Sequence, residues 1–271
     1  MQLKERTKNK EPGFGPDIPN TFCSLEEARN SLDWNWTSCI QHMNAREGEE
    51  NLLRQRDPLD ISRHLYGGVM EKSLRAFRGF LRNFGKSLDN KSLQAARTLE
   101  ISQAFAMIFL DMQVYEAMTD ETVWDQYTER MEKVVSLGSL IVDSTSCDHI
   151  AQKCGPEFSL DMNILAPLYG VAHRCRHPAV RRKAVALLYA APRQEGIWDS
   201  VLTARVAERL IHIEGEGLGN ITCPQDVPDW ARISDVSVKF DLQGRLGTIN
   251  YSRQRSPLEK VRAPVTEELR W

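Results

Sequence analysis

Apolar residues recur at spacings of three and four along most of the chain as far as Gly215, the pattern of helices with one buried face. The first stripe comprises Leu25, Ala28, Leu32, Trp36, Cys39 and Met43. It begins beside Ser24-Leu-Glu-Glu27, a capping box in which the Ser24 side chain accepts from the Glu27 backbone N–H and Glu27 reaches back. We therefore predict that order begins near Ser24 and that a helix follows it.

Three further stripes predict the rest of the first half. One comprises Met70, Leu74, Phe77, Leu81 and Phe84, with basic residues between them. Asp89 or Asn90 is a suitable N-cap for the next helix, whose segment 101–110 is apolar on more than one face and is predicted to be the most buried. A fourth helix opens at residues 119–121 and carries Val123, Trp124, Tyr127, Met131, Val134, Val135 and Ile141. Residues 143–158 are predicted to form a loop.

The second half has shorter predicted helices. Ser159 is expected to cap one that runs to about Arg176, and His177-Pro178 ends it because proline disfavours helix at the residue before it. The next helix places Val180, Ala184, Leu187 and Leu188 inward and Arg181, Arg182 and Lys183 outward. Another carries Leu202, Val206, Leu210 and Ile213 before the glycines at 215, 217 and 219.

The period changes from 3.6 to 2 after Pro228. Val236, Val238 and Phe240 alternate with polar residues, a turn follows at 241–244, and Leu246, Thr248 and Asn250 continue the pattern, which predicts a β-hairpin lying against the helices. The predicted fold is all-α, an irregular multi-helix domain with a small C-terminal β-hairpin. Its predicted parts are a flexible lead-in at 1–20, a helical domain with the hairpin at 21–255, and a flexible tail at 256–271.

Composition narrows the function classes. Basic and acidic residues number 35 and 37, a net charge of −2, whereas DNA-binding domains are usually basic because phosphate contacts dominate their affinity. No apolar run approaches the ~20 residues of a membrane helix, and the first ten residues are too polar for a secretory signal. We expect an intracellular protein whose six cysteines, none in a C-x-x-C pair, are free thiols.

Candidate chemical motifs are sparse. The cluster His173, Cys175 and His177 straddles a predicted helix end, and Cys147, His149 and Cys154 lie in a predicted loop with no fourth ligand, so we predict no structural metal and no cofactor. No G-x-S-x-G nucleophile motif occurs. The glycines at 215–219 follow a helix, whereas a phosphate-binding loop lies between a strand and a helix. We therefore predict no catalytic residues and no enzyme activity.

Two segments of the second half are more distinctive. The basic cluster Arg174, Arg176, Arg181, Arg182 and Lys183 is interpreted as a solvated helix face, with an acidic partner or nucleic acid as the alternative. The run Pro192-Arg-Gln-Glu-Gly-Ile-Trp-Asp-Ser200 is interpreted as a helix–helix connection in which Trp198 fills the core. Arg193 and Glu195 are expected to satisfy nearby backbone groups or charges.

Residues 167–188 together with 192–200 resemble the C-terminal region of fungal binuclear zinc-cluster transcription factors. The opening at Phe22 to Arg29 and the Val-x-Val-x-Phe hairpin are also similar, so the resemblance spans roughly residues 20–255. The residues that carry it, to which a structural or regulatory role is assigned, are Pro167, Leu168, Tyr169, Cys175, Arg176, Arg181, Arg182, Pro192, Arg193, Glu195, Gly196, Trp198, Asp199 and Ser200.

The resemblance implies a helical region that tunes transcription, often of secondary-metabolism or nutrient genes. The six-cysteine zinc cluster with which that family reads DNA is not matched in this sequence, nor is the coiled coil that follows it. We therefore expect a nuclear, or nuclear and cytoplasmic, regulator that does not bind specific DNA by itself and uses no membrane. Its expected partners are co-regulators or a related transcription factor, and a small-molecule effector is compatible with it. The alternatives are a helical enzyme or accessory protein of a metabolite pathway, or a truncated transcription-factor gene product.

Overall fold

A computed structural model describes residues 17–47, 58–113, 120–149, 157–159, 164–190, 192–196, 198–241 and 246–270. The helices in these ranges are α1 (Leu25–Glu47), α2 (Pro58–Phe84), α3 (Asn90–Gln113), α4 (Thr128–His149), α5 (Leu165–Arg174), α6 (Pro178–Ala190) and α7 (Ser200–Gly215). The strands are β1 (Glu157–Ser159), β2 (Arg193–Glu195), β3 (Trp198–Asp199), β4 (Ser234–Asp241), β5 (Leu246–Arg253) and β6 (Ala263–Arg270). Helix dominates, as predicted, but two small sheets replace the single hairpin.

The internal contacts group the chain into two compact units, where the sequence analysis expected one domain. The N-terminal unit is Met1–Ala96 with Phe109–Val114, and the C-terminal unit is Arg97–Ile108 with Tyr115–Trp271. No described helix is both long and apolar enough to cross a membrane.

The N-terminal unit is built on α1 and α2. The Glu27 N–H donates to Ser24 Oγ at 3.1 Å, and the Glu27 carboxylate accepts from the Cys23 N–H at 2.7 Å, so the predicted capping box is confirmed with its return bond one residue earlier. Order begins before Ser24, however. Ile18 and Phe22 are both buried, and the Phe22 N–H donates to the Ala76 carbonyl.

Helix α2 begins well before its predicted stripe, and its buried face is rotated from the predicted one. Met70 and Phe77 are buried as expected, but Ser73 and Phe80 complete the face, and Phe84 is 44% exposed. Asp89 is the N-cap of α3, since its carboxylate accepts from the Ser92 N–H at 2.7 Å. In the middle of α3, Ile101 and Ile108 are buried, as predicted.

The fourth predicted helix is divided in two. Residues Glu121–Tyr127 form a 3₁₀ helix whose N-cap, Asp120, accepts from the Thr122 N–H, and α4 follows with Met131, Val134 and Val135 buried. Helix α4 continues to His149, so the loop predicted from residue 143 is wrong over its first half.

Helices α4 to α7 pack together in the C-terminal unit. Helix α5 starts at Leu165 rather than next to Ser159, which lies in β1, and ends at Arg174. The predicted break at His177-Pro178 is confirmed because α6 begins at Pro178.

The C-terminal sheet has the order β4-β5-β6 and is antiparallel throughout. The predicted hairpin is confirmed as β4 and β5, but β6 occupies half of the segment expected to be a flexible tail. The inner face of the sheet packs on α7 in a core of Val206, Leu210, Ile213, Ile233, Ile249 and Tyr251. On β5, Ile249 and Tyr251 face the core, and Ile249 lies opposite Val238 of β4. Leu246, Thr248 and Asn250, the residues of the predicted alternation, alternate with this buried set.

The pairing register gives a test of this sheet. Ile249→Ala should lower the free energy of unfolding by about 2–5 kcal/mol, because Ile249 is fully buried beneath α7. Phe240→Ala on the neighbouring strand should cost clearly less, since Phe240 is 43% exposed. Urea denaturation of both variants checks the difference, and equal costs would contradict the register.

Candidate functional site

The residues that carry the family resemblance converge around α5 in the C-terminal unit. Strands β2 and β3 form a two-stranded turn between α6 and α7, with Gly196 at φ 55° between them, a conformation that favours glycine. Strand β2 also pairs in parallel with β1. The segment predicted as a helix–helix connection does join α6 to α7, and it contains two short strands of a small sheet beside α5.

Glu195 caps the N-terminus of α5. Its Oε2 atom accepts from the backbone N–H groups of Ile164 and Leu165, both at 3.0 Å, and the side chain is almost fully buried. A buried carboxylate at this position satisfies two helix-end donors and complements the positive end of the helix dipole. Arg193, at 3.9 Å from the other Glu195 oxygen, adds a positive charge beside it. Glu195 thus satisfies two backbone donors, and Arg193 lies beside its charge.

Asp199 and Ser200 hold the start of α7. Asp199 Oδ1 accepts from the Leu202 N–H at 2.9 Å, the geometry of an N-cap. Ser200 Oγ accepts from the Arg193 N–H at 3.1 Å, so the same turn ties β2 to the first residue of α7. Pro192, immediately before β2, is exposed.

Trp198 lies at the edge of the core rather than inside it. The side chain is half-buried, and its ring centroid is 5.4 Å from that of Tyr169. Burial raises the pKa of Tyr169 to about 12. The Tyr169 ring also contacts His173, whose pKa is held well below its ordinary value by burial and by the nearby charges of Arg174, Arg176 and Arg181. Pro167 and Leu168, on the same helix, are buried.

The predicted solvated basic face is wrong for two of its five members. Arg176 and Arg181 are 1% and 4% exposed, whereas Arg182 and Lys183 are exposed as predicted. The physical reason is Glu214, a fully buried carboxylate on α7. Arg176 Nη2 lies 2.6 Å from Glu214 Oε1, and Arg181 Nη1 lies 2.9 Å from Glu214 Oε2.

Other donors of the two guanidinium groups bond backbone carbonyls. Arg181 donates to the carbonyls of Ala172 and His173 in α5, and Arg176 donates to the carbonyl of Arg174. Glu214 Oε1 also accepts from the Ile233 N–H at 3.0 Å, just before β4. Buried charges are tolerated when their hydrogen-bonding capacity is met in this way.

The network extends to the 3₁₀ helix at 121–127. Glu121 accepts from Arg174 at 2.8 Å and from Arg176 at 3.3 Å. Arg232, 1% exposed, makes two bonds of 2.8 Å to the carboxylate of Asp125 and donates to the Glu121 carbonyl. Arg174 also lies over the Trp124 ring, 4.8 Å from its centroid. We call Glu214, Arg176, Arg181, Glu121, Arg174, Asp125 and Arg232 the buried ion network.

The charges around Glu214 favour its ionised form. Burial alone would raise its pKa, but the charges of Arg176 and Arg181 and the hydrogen bonds from Arg176 and the Ile233 N–H outweigh that effect and lower the pKa from 4.5 to about 2. A carboxylate with so low a pKa is a poor proton acceptor at neutral pH. The arrangement therefore orients helices and does not resemble a catalytic acid–base pair.

The sequence analysis missed Glu214, Glu121, Asp125 and Arg232. Glu214 carried a signal: it stands four residues after Leu210, on the apolar stripe of α7, where a charged residue implies a buried partner. The other three lie in the 3₁₀ helix or a loop, where no periodicity marks a buried position.

Cys39 and Cys175 are buried, and the four cysteines whose side chains are described are free, as expected. Burial raises the pKa of Cys39 to about 11 and that of Cys175 above its ordinary value. Across the residues whose side chains are described, His, Cys, Asp and Glu form no group of three suited to a metal ion. The cluster Cys147, His149 and Cys154 lies outside the described side chains.

Comparison with known proteins gives one partial similarity. The chain is 34% identical over 101 residues to the aspercryptin biosynthesis cluster-specific transcription regulator atnN of Emericella nidulans. The match covers 36% of this chain and 16% of that protein. No protein-family profile matches the chain. No solved structure matches it either. The chain is thus distantly and partially similar to a fungal regulator of a secondary-metabolite gene cluster.

The buried ion network predicts a large cost for losing its central anion. Glu214→Gln should lower the free energy of unfolding by about 3–5 kcal/mol, because Arg176 and Arg181 would remain buried with their charges uncompensated. Glu268→Gln is the matched control, since Glu268 is exposed on β6, and should change stability by less than about 0.5 kcal/mol. Urea denaturation at neutral pH measures both.

The pH dependence of the free energy of unfolding, measured for the native chain and for Glu214→Gln, tests whether the lost charge of Glu214 causes the destabilisation. Because the folded-state pKa of Glu214 is depressed, its stabilisation is present above pH 4.5 and is lost as the pH falls toward 2. The stability gap between the native chain and Glu214→Gln should therefore narrow over that interval. A gap that stays constant would show that the cost arises from packing instead.

Proposed function

We propose that the chain is a fungal transcription-regulatory protein that acts through protein contacts and carries out no reaction of its own. The similarity to a cluster-specific transcription regulator is the observation that carries the proposal. The role of that regulator suggests the same class of target here, the genes of a secondary-metabolite pathway. Nucleus, or nucleus and cytoplasm, is the proposed location.

The geometry around α5 supports a scaffold role for the segment that resembles the zinc-cluster factors. Backbone N–H groups at or near helix starts donate hydrogen bonds to Glu195, Asp199 and Ser200. Ion pairs with Glu214 bind the guanidinium groups of Arg176 and Arg181. Side chains committed in this way fix the relative directions of α5, α6 and α7. These fixed directions are consistent with a rigid helical body. Such a body would present its surface to co-regulators or a related transcription factor. A small-molecule effector remains compatible with this role.

A tethering experiment tests the regulatory role. The full chain, fused to a heterologous DNA-binding domain in a fungal host, should raise or lower a reporter placed behind the cognate DNA site, relative to that domain alone. Glu268→Gln should behave as the native chain does, and Glu214→Gln should lose the effect with its fold. A native fusion that is expressed and nuclear but leaves the reporter unchanged would contradict the proposal.

A binding selection tests the proposed lack of DNA specificity. Specific readout needs a protein element in a groove with side chains reaching base edges, and it needs cations that displace counterions. With a net charge of −2, the chain should enrich no motif from random duplexes at physiological salt. A single motif preferred about 10³-fold over bulk DNA, the lower end for specific binders, would overturn this part.

A further inference from the structure

One face of α2 carries four positive charges that form no ion pair with any described residue. Lys72, Arg75, Arg78 and Arg82 follow one another at spacings of three, three and four residues, which places them along about 15 Å of one helix face. All four side chains are exposed. Within the described part of the chain, none of them forms an ion pair or a side-chain hydrogen bond. Like charges at such spacings repel and weaken a helix unless an anion lies between them.

These cations line a recess and not a convex surface. Together with Pro19 and Asn20 they enclose a groove of about 440 Å³ in the N-terminal unit. The segment that forms its far wall is fixed to α2 through Phe22, which is 1% exposed and donates its N–H to the Ala76 carbonyl. Gly79 permits this close approach, because a Cβ atom there would lie 2.7 Å from Thr21 Oγ1. The groove is therefore built by packed chain on both sides.

We infer that this groove, the basic groove defined by Lys72, Arg75, Arg78 and Arg82, binds a short peptide segment rich in Asp and Glu from a partner protein. Arginine clusters recognise acidic motifs because each guanidinium presents a planar set of donors that matches a carboxylate. The volume is that of a typical ligand pocket and accepts a few side chains.

The same shape disfavours a nucleic-acid duplex. Duplex recognition inserts a projecting helix or ribbon into a groove of the DNA, whereas here the cations line a recess in the protein. The slight negative net charge of the chain also gives little long-range attraction for a polyanion. A single acidic segment, by contrast, interacts only at short range with the four cations.

This inference rests on the proposed function in one respect, that regulation works through protein contacts; the groove itself does not depend on it. The test uses the purified full chain and a fluorescent peptide in which glutamates alternate with alanine and leucine, with a glutamine-for-glutamate peptide as reference. Fluorescence anisotropy should show binding of the glutamate peptide, weakened by added salt, and much weaker binding of the glutamine peptide.

Variants locate the binding. Arg75→Gln, Arg78→Gln and Arg82→Gln together should weaken binding at least about tenfold, the combined effect of three exposed ion pairs. The matched control, Arg182→Gln, Lys183→Gln and Arg205→Gln, removes three exposed cations from α6 and α7 and should leave binding within about twofold. Both variants lower the net charge by three, so a difference between them reports position and not total charge. Thermal unfolding confirms that both are folded.

Several results would overturn the inference. One is equal affinity for the glutamate and glutamine peptides, and another is an equal loss of binding in the two variants. Displacement of the peptide by unlabelled random duplex DNA at lower concentration than by unlabelled peptide would favour nucleic acid as the ligand. Because the assay does not involve transcription, peptide binding with an unchanged reporter would count against the proposed function alone.

Discussion

The C-terminal unit depends on one buried carboxylate, that of Glu214. Its two oxygens hold Arg176 at the α5–α6 corner and Arg181 on α6, and one oxygen also receives the Ile233 N–H that leads into β4. Exchanging such a triad for well-packed apolar residues is often neutral or stabilising, so its net contribution is small, but removing one member leaves a charge stranded. We therefore interpret the buried ion network as fixing the helix directions. Loss of any one of its charges is expected to destabilise the fold.

Helix α5 shows how the short elements around this network remain in place. With ten residues, it is too short to be stable in isolation. Its N-terminus is capped by the carboxylate of Glu195. At its C-terminus, the last residue, Arg174, is held by Glu121, and Arg176, two residues further on, is held by Glu214. A carboxylate at the start and guanidinium groups at the end match the helix dipole in both directions. The distinctive Pro192–Ser200 segment is thus explained by α5, which it caps, as much as by α7, which it starts.

Local sequence signals predicted most of the helices. Strand pairs and ion pairs between residues far apart in the sequence were not predictable. The capping box at Ser24, the cap at Asp89 and the break at His177-Pro178 are encoded within a few residues, and all three occur. Strand β6 lacked such a signal because its pattern becomes meaningful only beside β5. Arg181 was placed outside because a basic residue on a helix is usually solvated, and its partner Glu214 lies 33 residues away.

The same limitation explains why the sequence analysis singled out the basic cluster from Arg174 to Lys183 and not the cations of α2. The cluster from Arg174 to Lys183 was conspicuous because its members are close together, yet three of them are held by Glu121 and Glu214. The cations of α2 were inconspicuous because they are spread among apolar residues, yet none of the four forms an ion pair with a described residue. The density of basic residues along a sequence reflects local composition only. Whether a basic residue is available to a partner depends on whether the fold places an anion beside it. The surface charge that a partner can use must therefore be sought where the fold leaves cations without an ion pair. Among the described residues, the four cations of the basic groove meet that criterion and also line one recess.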